Sequence, residues 1–380
     1  MKQLFLIIFL ITIYLSGISQ EITLPKKTNQ KFIEIKYHYG KFARKTTSDV
    51  TSIVDNPYNA INIRAGIQSS GIKKEWDQIY GYPIYGLGFY KIWFYGDQLG
   101  SPQAIYMFLK PPIIRGEKLT WNWEISAGIS FGFNKYNPTT NSEQKVIGSN
   151  INSYFNLGTG ISYAISNRLD ISLSVDLTHF SNGAVRTPNI GVNLMGISPS
   201  IIYNFNNNNN NKVFVRNNFE KKELSKFKRK SNLQILAIAG GKTTTNAIYD
   251  GATYFAGSFS LDYAFKYSRV TKIGLGLDGF YESALRKFPE PGIENPTFSD
   301  LSYMGIHLAH HLMIYRFRLM VQFGTYLTTK LAHKGNTYII VTLDYYATRN
   351  LFFSYHLKTR NGTVADFIGL GIGYDINLSH

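Results

Sequence analysis

His179 and Ser181 place a base and a hydroxyl two positions apart near the middle of the chain. On an extended strand, residues i and i+2 share a face, so the imidazole can approach the hydroxyl. That is the relation between general base and nucleophile that serine acyl hydrolases use. A triad also needs a group that orients the ring. Asn193 lies on the next alternating segment, on the face carrying Met195, Ile197, Ile201 and Tyr203, and can project to the same side. The chemistry on offer is acyl ester hydrolysis, with Ser181 attacking, His179 moving the proton and Asn193 holding the ring. Spacing alone favours a plainer reading, a polar rim of His, Ser and Asn with no chemistry. With 8 histidines and ordinary serine usage, roughly one His-x-Ser or somewhat less is expected by chance.

The elements that must position these residues are legible. The stretch ISLSVDLTHFSNGAVRTPNIGVNLMGISPSIIY, Ile171 to Tyr203, is two alternating segments around a short Asn/Gly/Pro loop. Ile171, Leu173, Val175 and Leu177 take one face, and Ser172, Ser174, Asp176 and Thr178 the other. His179 and Ser181 extend the apolar face, so the pair sits at the end of an oily stripe. If that stripe meets lipid, the substrate is a membrane ester.

The bulk of the sequence agrees with a membrane setting. Lys2, the apolar run from Leu4 to Leu15 and the small-x-small site Gly17-Ile18-Ser19 read as a secretory signal peptide over 1–19. With no cysteine anywhere, disulfides and thiolate metal sites are excluded. No later segment has the continuous apolar length of a transmembrane helix. Alternation instead recurs in segments of about ten residues or more, the pattern of outer-membrane barrel strands. The net charge is +16. In an exported barrel, anionic lipid and lipopolysaccharide phosphate suit that charge better than nucleic acid does.

The expected fold is all-β, an antiparallel transmembrane β-barrel protein of about sixteen strands. About eight lie in 20–205. An Asn-rich and Lys-rich linker spans 206–231, and about eight more strands lie in 232–380. The segment 119–134 alternates most cleanly, with Leu119, Trp121, Trp123, Ile125, Ala127, Ile129, Phe131 and Phe133 on one face. Starting the first strand at the periplasm makes the periplasmic turns mostly short and the outer loops mostly long, as in outer-membrane barrels. His179 and Ser181 then fall at the external end of their strand, facing the lipopolysaccharide leaflet. One wide barrel and two tandem barrels both satisfy the pattern. A faint repeat joins LTHFSNG to LKTRNG near the ends of the two halves.

The string THFSNGAVRTPNIGVN resembles the signature of the outer-membrane lipid A 3-O-deacylases, also called acyloxyacyl hydrolases. The resemblance is strong over about Asp176 to Asn193. It implies an eight-stranded barrel for the first half, with an active site on the outer wall. It implies His179 as base and Ser181 as nucleophile, with Asn182 and the Pro188-Asn189 pair completing the motif. The family's Glu, fourteen residues beyond the His, is Asn193 here. The substrate implied is lipid A or lipopolysaccharide in the outer membrane of a Gram-negative bacterium, and the reaction needs no cofactor. The amides of Asn182, Gly183 and Asn189 suit an oxyanion hole; they suit an ordinary Asn-Gly and Pro-Asn turn equally well. The rival reading is a non-catalytic barrel, whether structural, binding or a pore, that keeps a decayed site.

Other motifs carry less. His307 and His311, with His310 between, suggest a metal cluster. On a strand they stand about 13 Å apart along one face, so they read as wall residues rather than ligands. Gly240-Gly241-Lys242-Thr243 lacks the spacing of a phosphate loop. The run from Pro289 to Pro296 reads as part of an external loop.

Overall fold

The computed structural model describes residues 29–43, 55–69, 75–205, 223–243, 252–289, 293–328, 335–362 and 364–378. The leader expected at 1–19 and most of the expected linker, 206–222, lie outside the described residues, as does 290–292 of the Pro-rich loop. The chain divides into two compact units, each a closed antiparallel barrel.

The first contains β1 (Gln30–Phe42), β2 (Tyr58–Gln68), β3 (Ile84–Phe94), β4 (Gly100–Lys110), β5 (Pro112–Arg115), β6 (Leu119–Phe133), β7 (Asn152–Ala164), β8 (Leu169–Ser181) and β9 (Val192–Phe205). Neighbours in sequence pair around the ring, β9 returns to β1, and β4 pairs with β6 to leave eight strands closed. The short β5 continues the β4 side against β6, beyond Pro111. A short helix, α1 (Glu75–Ile79), sits between β2 and β3. The second barrel closes in the order β10 (Lys230–Lys242), β11 (Tyr254–Lys266), β12 (Thr271–Glu282), β13 (Ser302–Ile314), β14 (Phe317–Thr328), β15 (Thr337–Tyr346), β16 (Leu351–Arg360) and β17 (Val364–Leu378). The helix α2 (Ala284–Lys287) follows β12. Two closed rings replace the single wide barrel that the alternation also allowed. The merged lumen required by a wide pore is therefore not formed.

Strand periodicity explains both walls. Along β1, Phe32, Glu34, Lys36 and His38 are buried, while Ile33, Ile35, Tyr37 and Tyr39 face out. The outer faces stay apolar around each ring: Leu87 is 61% exposed, Ile129 62% and Leu370 69%. So much apolar surface is stable in hydrocarbon and not in water. Closure leaves no unpaired strand edge, which lipid cannot hydrate. No helix among the described residues is long and apolar enough to cross a membrane.

Inside, charge is paired. Arg64 lies 2.6 Å from Glu34 and 2.5 Å from Glu124 in the first barrel. In the second, Arg318 meets Asp344 at 2.7 Å, and Lys358 and Lys242 meet Asp366 at 2.5 and 2.6 Å. Pairing of this kind offsets the desolvation cost of a buried charge. Gly240 to Lys242 form the end of a strand, as their rejection as a phosphate loop requires.

The clean alternation expected over 119–134 breaks near its end. Gly132 has φ +86°, a left-handed conformation open to glycine and costly for other residues. It reverses the phase, so Phe133 turns inward and joins a lumen cluster with Phe94 and Phe180.

Candidate active site

His179 and Ser181 lie at the end of β8, continuing the face on which Ile171, Leu173 and Val175 are exposed. Asn193, near the start of β9, is the direct cross-strand partner of His179. It continues a face on which Met195, Ile197, Ile201 and Tyr203 are exposed. All three side chains are half-buried, at the edge of the apolar wall and not in the lumen. The pairing register brings together residues fourteen apart in sequence.

His179 Nδ1 is 2.7 Å from Asn193 Oδ1. An amide oxygen only accepts, so Nδ1 donates its proton there. In a neutral ring this leaves the lone pair on Nε2, the atom required for a base. Ser181 Oγ accepts a 2.9 Å hydrogen bond from Asn189 Nδ2. Asn189 Oδ1 in turn accepts the backbone N–H of Asn182 at 3.3 Å. One side-chain amide thus ties the end of β8 to the loop before β9. The sequence suggested backbone amides around Ser181. The structure brings the Asn189 side chain to the hydroxyl and commits the Asn182 N–H to that same side chain. Gly183 follows with φ +61° and Ala184 with φ +71°, so the chain turns sharply just after the motif.

The loop between β6 and β7 supports this corner, and sequence reading did not find it. Asn182 Nδ2 donates to Ser149 Oγ at 2.9 Å, and Gly191 N–H donates to Val146 O at 3.0 Å. Gln144 is fully buried. Its Oε1 accepts from the N–H groups of Val146 and Ile147, while its Nε2 donates to Asn134 O and Ile147 O. Gly191 is the other residue missed. Its φ is +82°, and a Cβ there would stand 3.0 Å from His179 Cε1. Glycine at this position lets the backbone pass against the imidazole. The Gly191 position was visible in the sequence, but its proximity to His179 follows only from the register.

Asp176, the nearest carboxylate in sequence, points into the lumen as its parity requires. It is buried, accepts from Ser198 Oγ at 2.8 Å, and lies 3.4 Å from His38. In the second barrel, His307 and His311 are lumen residues that share one carboxylate. Asp262 lies 3.3 Å from the first and 3.1 Å from the second. His307 also meets Asp278 at 2.8 Å. Among the described residues no group of three or more His, Asp or Glu has the arrangement to hold a metal ion.

Residues 61–201 match the family model described as Lipid A 3-O-deacylase (PagL). Residues 231–378 match the one described as Acyloxyacyl hydrolase, C-terminal domain. No curated protein sequence matches the chain. Among solved structures it is similar to Neisserial surface protein A (NspA), with 10% identity, 47% of this chain and 100% of that one covered, and a TM-score of 0.34. It is also similar to OccK11 (OpdR) of Pseudomonas aeruginosa, with 10% identity, 92% and 96% covered, and a TM-score of 0.23. An outer membrane channel from Pseudomonas putida F1 matches at 9% identity, with 95% and 99% covered and a TM-score of 0.20.

Proposed function

We propose that this chain, which belongs to the lipid A 3-O-deacylase family and ends in an acyloxyacyl hydrolase C-terminal domain, hydrolyses a fatty acyl ester of lipid A in the outer membrane through Ser181, His179 and Asn193. The observation that carries this reading is the 2.7 Å bond from His179 Nδ1 to Asn193 Oδ1, on the same outward face as Ser181. It leaves Nε2 as the base. Ser181 Oγ attacks the ester carbonyl as Nε2 takes its proton. The tetrahedral intermediate collapses, the C–O bond to the sugar breaks, and Nε2 returns the proton to the departing alkoxide. Water, deprotonated by the same nitrogen, then attacks the acyl-enzyme; the bond to Ser181 Oγ breaks, Nε2 returns the proton to that oxygen, and the fatty acid leaves. Asn189 Nδ2, already directed at Ser181 Oγ, is the donor for the oxyanion. Asn193 holds the ring but brings no full negative charge to the imidazolium, as the family's carboxylate would.

The site belongs at the external rim, where the acyl chains of lipopolysaccharide meet the barrel wall. The same reading assigns 1–19 to an export signal, 20–205 to the catalytic barrel, 206–231 to a linker and 232–380 to the second barrel. A second reading has one observation in its favour: Asn193 stands where the family carries Glu, as in a barrel whose site has decayed. Mass spectrometry of lipid A from cells expressing the protein decides between them. Wild type should remove an acyl chain and Ser181→Ala should not, with activity falling by about 10³-fold or more while the folded barrel persists. No change in lipid A with wild type would favour the decayed site. Equal deacylation by both forms would exclude Ser181.

A further inference from the structure

At the end of the first barrel away from His179, a cavity of about 70 Å³ opens among the strand ends. Lys110, the last residue of β4, lines it and is only 6% exposed. Among the described residues no hydrogen bond or ion pair reaches its ammonium group. The carboxylates nearby are already engaged. Glu34 lines the same cavity, but its oxygens take Arg64 and Ser200. Glu124 takes Arg64 and lies 3.9 Å from Lys36. Asp170, on the rim, accepts from Asn204 Nδ2 at 2.9 Å. Arg115 and Lys118 add two more cationic side chains to the lining. Two neutral residues of the lining are also incomplete. Asn122 is buried with neither side-chain amide atom hydrogen-bonded, and Gln30 Nε2 has no acceptor.

A buried ammonium with no direct ion pair or hydrogen bond is costly to keep. Here it lines a cavity together with Asn122 and Gln30, residues of two other strands whose enclosed side-chain amides lack hydrogen-bond partners. Its volume of about 70 Å³ is several times the roughly 10–15 Å³ that a single water requires, which leaves room for a small anion. We propose that this cavity binds a phosphate group, with Lys110 as its charge partner and the side-chain amides of Asn122 and Gln30 as further donors. The group is either free inorganic phosphate or the phosphate of a lipid head at the barrel rim. The site is distinct from the Ser181 corner and does not depend on its chemistry.

The test uses the full-length protein in uncharged detergent and phosphate-free buffer, titrated calorimetrically with inorganic phosphate. In parallel, native mass spectrometry reads phospholipid retained after passage through phosphatidylethanolamine vesicles. Saturable phosphate binding, weakened at least about tenfold by Lys110→Met and kept by Lys110→Arg, assigns the free anion. Lipid retention with the same dependence on Lys110 assigns the head group. Heat-modifiable gel mobility checks that each variant is folded. Lys110→Gln replaces Lys110→Met if the latter does not fold, with the same loss expected. Absence of both kinds of binding, or binding unaltered by loss of the Lys110 charge, overturns the inference.

Discussion

The hairpin β8–β9 of the first barrel and the hairpin β16–β17 of the second both end their penultimate strand at an Asn-Gly turn, and they use its approach in opposite ways. Before Asn182-Gly183, β8 keeps its two-residue phase, so His179 and Ser181 stay on the outer face. Counted back from Asn361-Gly362, Lys358 holds the position of His179. It faces inward, bonded to Asp366 Oδ2 at 2.5 Å. A bulge between Lys358 and Thr359 then buries two consecutive residues. Such bulges re-aim side chains and end regular pairing. A His-x-Ser corner on the outer wall and an ion pair in the lumen thus arise from nearly the same turn. What separates them is strand phase, which a sequence alignment of the two turns does not reveal.

The largest effects should come from the lumens. Removing Arg64 strands two carboxylates, and removing Arg318 strands Asp344 beside Asp375, so each substitution to Leu should cost about 3–5 kcal/mol. Urea unfolding in detergent should register both losses. Only Arg64→Leu should also lower deacylation; an equal loss of activity in a folded Arg318→Leu protein would end the division of labour between the barrels. Next comes Gly191→Ala. It strains a φ of +82° and pushes on the His179 ring, and a misplacement of about 1 Å can cost ~10²-fold in rate. Unchanged lipid A turnover would show that the ring has room to move.

Substitutions of Asn193 come next. Asn193→Ala removes a hydrogen bond worth about 1–1.5 kcal/mol, so turnover should fall about tenfold. Asn193→Glu should retain or raise it, because a carboxylate stabilises the imidazolium formed as Ser181 attacks. Insensitivity to both changes would mean another residue holds His179. Smallest of all is Arg360→Ala in the second barrel, at the position matching Ser181. As a rim substitution it should shift activity by about twofold or less, and a larger effect would give the second hairpin a part in the reaction.

Much of this was readable in the chain because a strand's two faces meet two different solvents. Every strand of each ring except the four-residue β5 was marked by its alternation, and the outward parity of His179, Ser181 and Asn193 followed from counting. Local conformation interrupted the counting in two places. Gly132 reverses the phase ahead of Phe133, and the bulge after Lys358 does so on β16. Contacts between distant segments were not legible. Gln144 bracing the loop over Asn182, Asn189 reaching Ser181, and Gly191 lying against His179 all depend on register and loop closure, for which one sequence carries no periodic signal. Closure into two rings was equally hidden, since alternation reads the same in a wide barrel and in two narrow ones.

The guanidinium of Arg64 also constrains how the first barrel is made. Its partners come from β1, thirty residues earlier, and from β6, sixty residues later. Until β6 arrives, Glu124 is absent, and until β9 meets β1, Ser200 cannot reach Glu34. A half-built sheet lying in lipid would therefore hold unmatched charge on its concave side. Each added strand lowers that penalty, and the last one removes the remaining open edge. Biogenesis of this barrel should accordingly be all-or-none at the membrane, with partly threaded chains shed or kept outside the bilayer and complete rings retained.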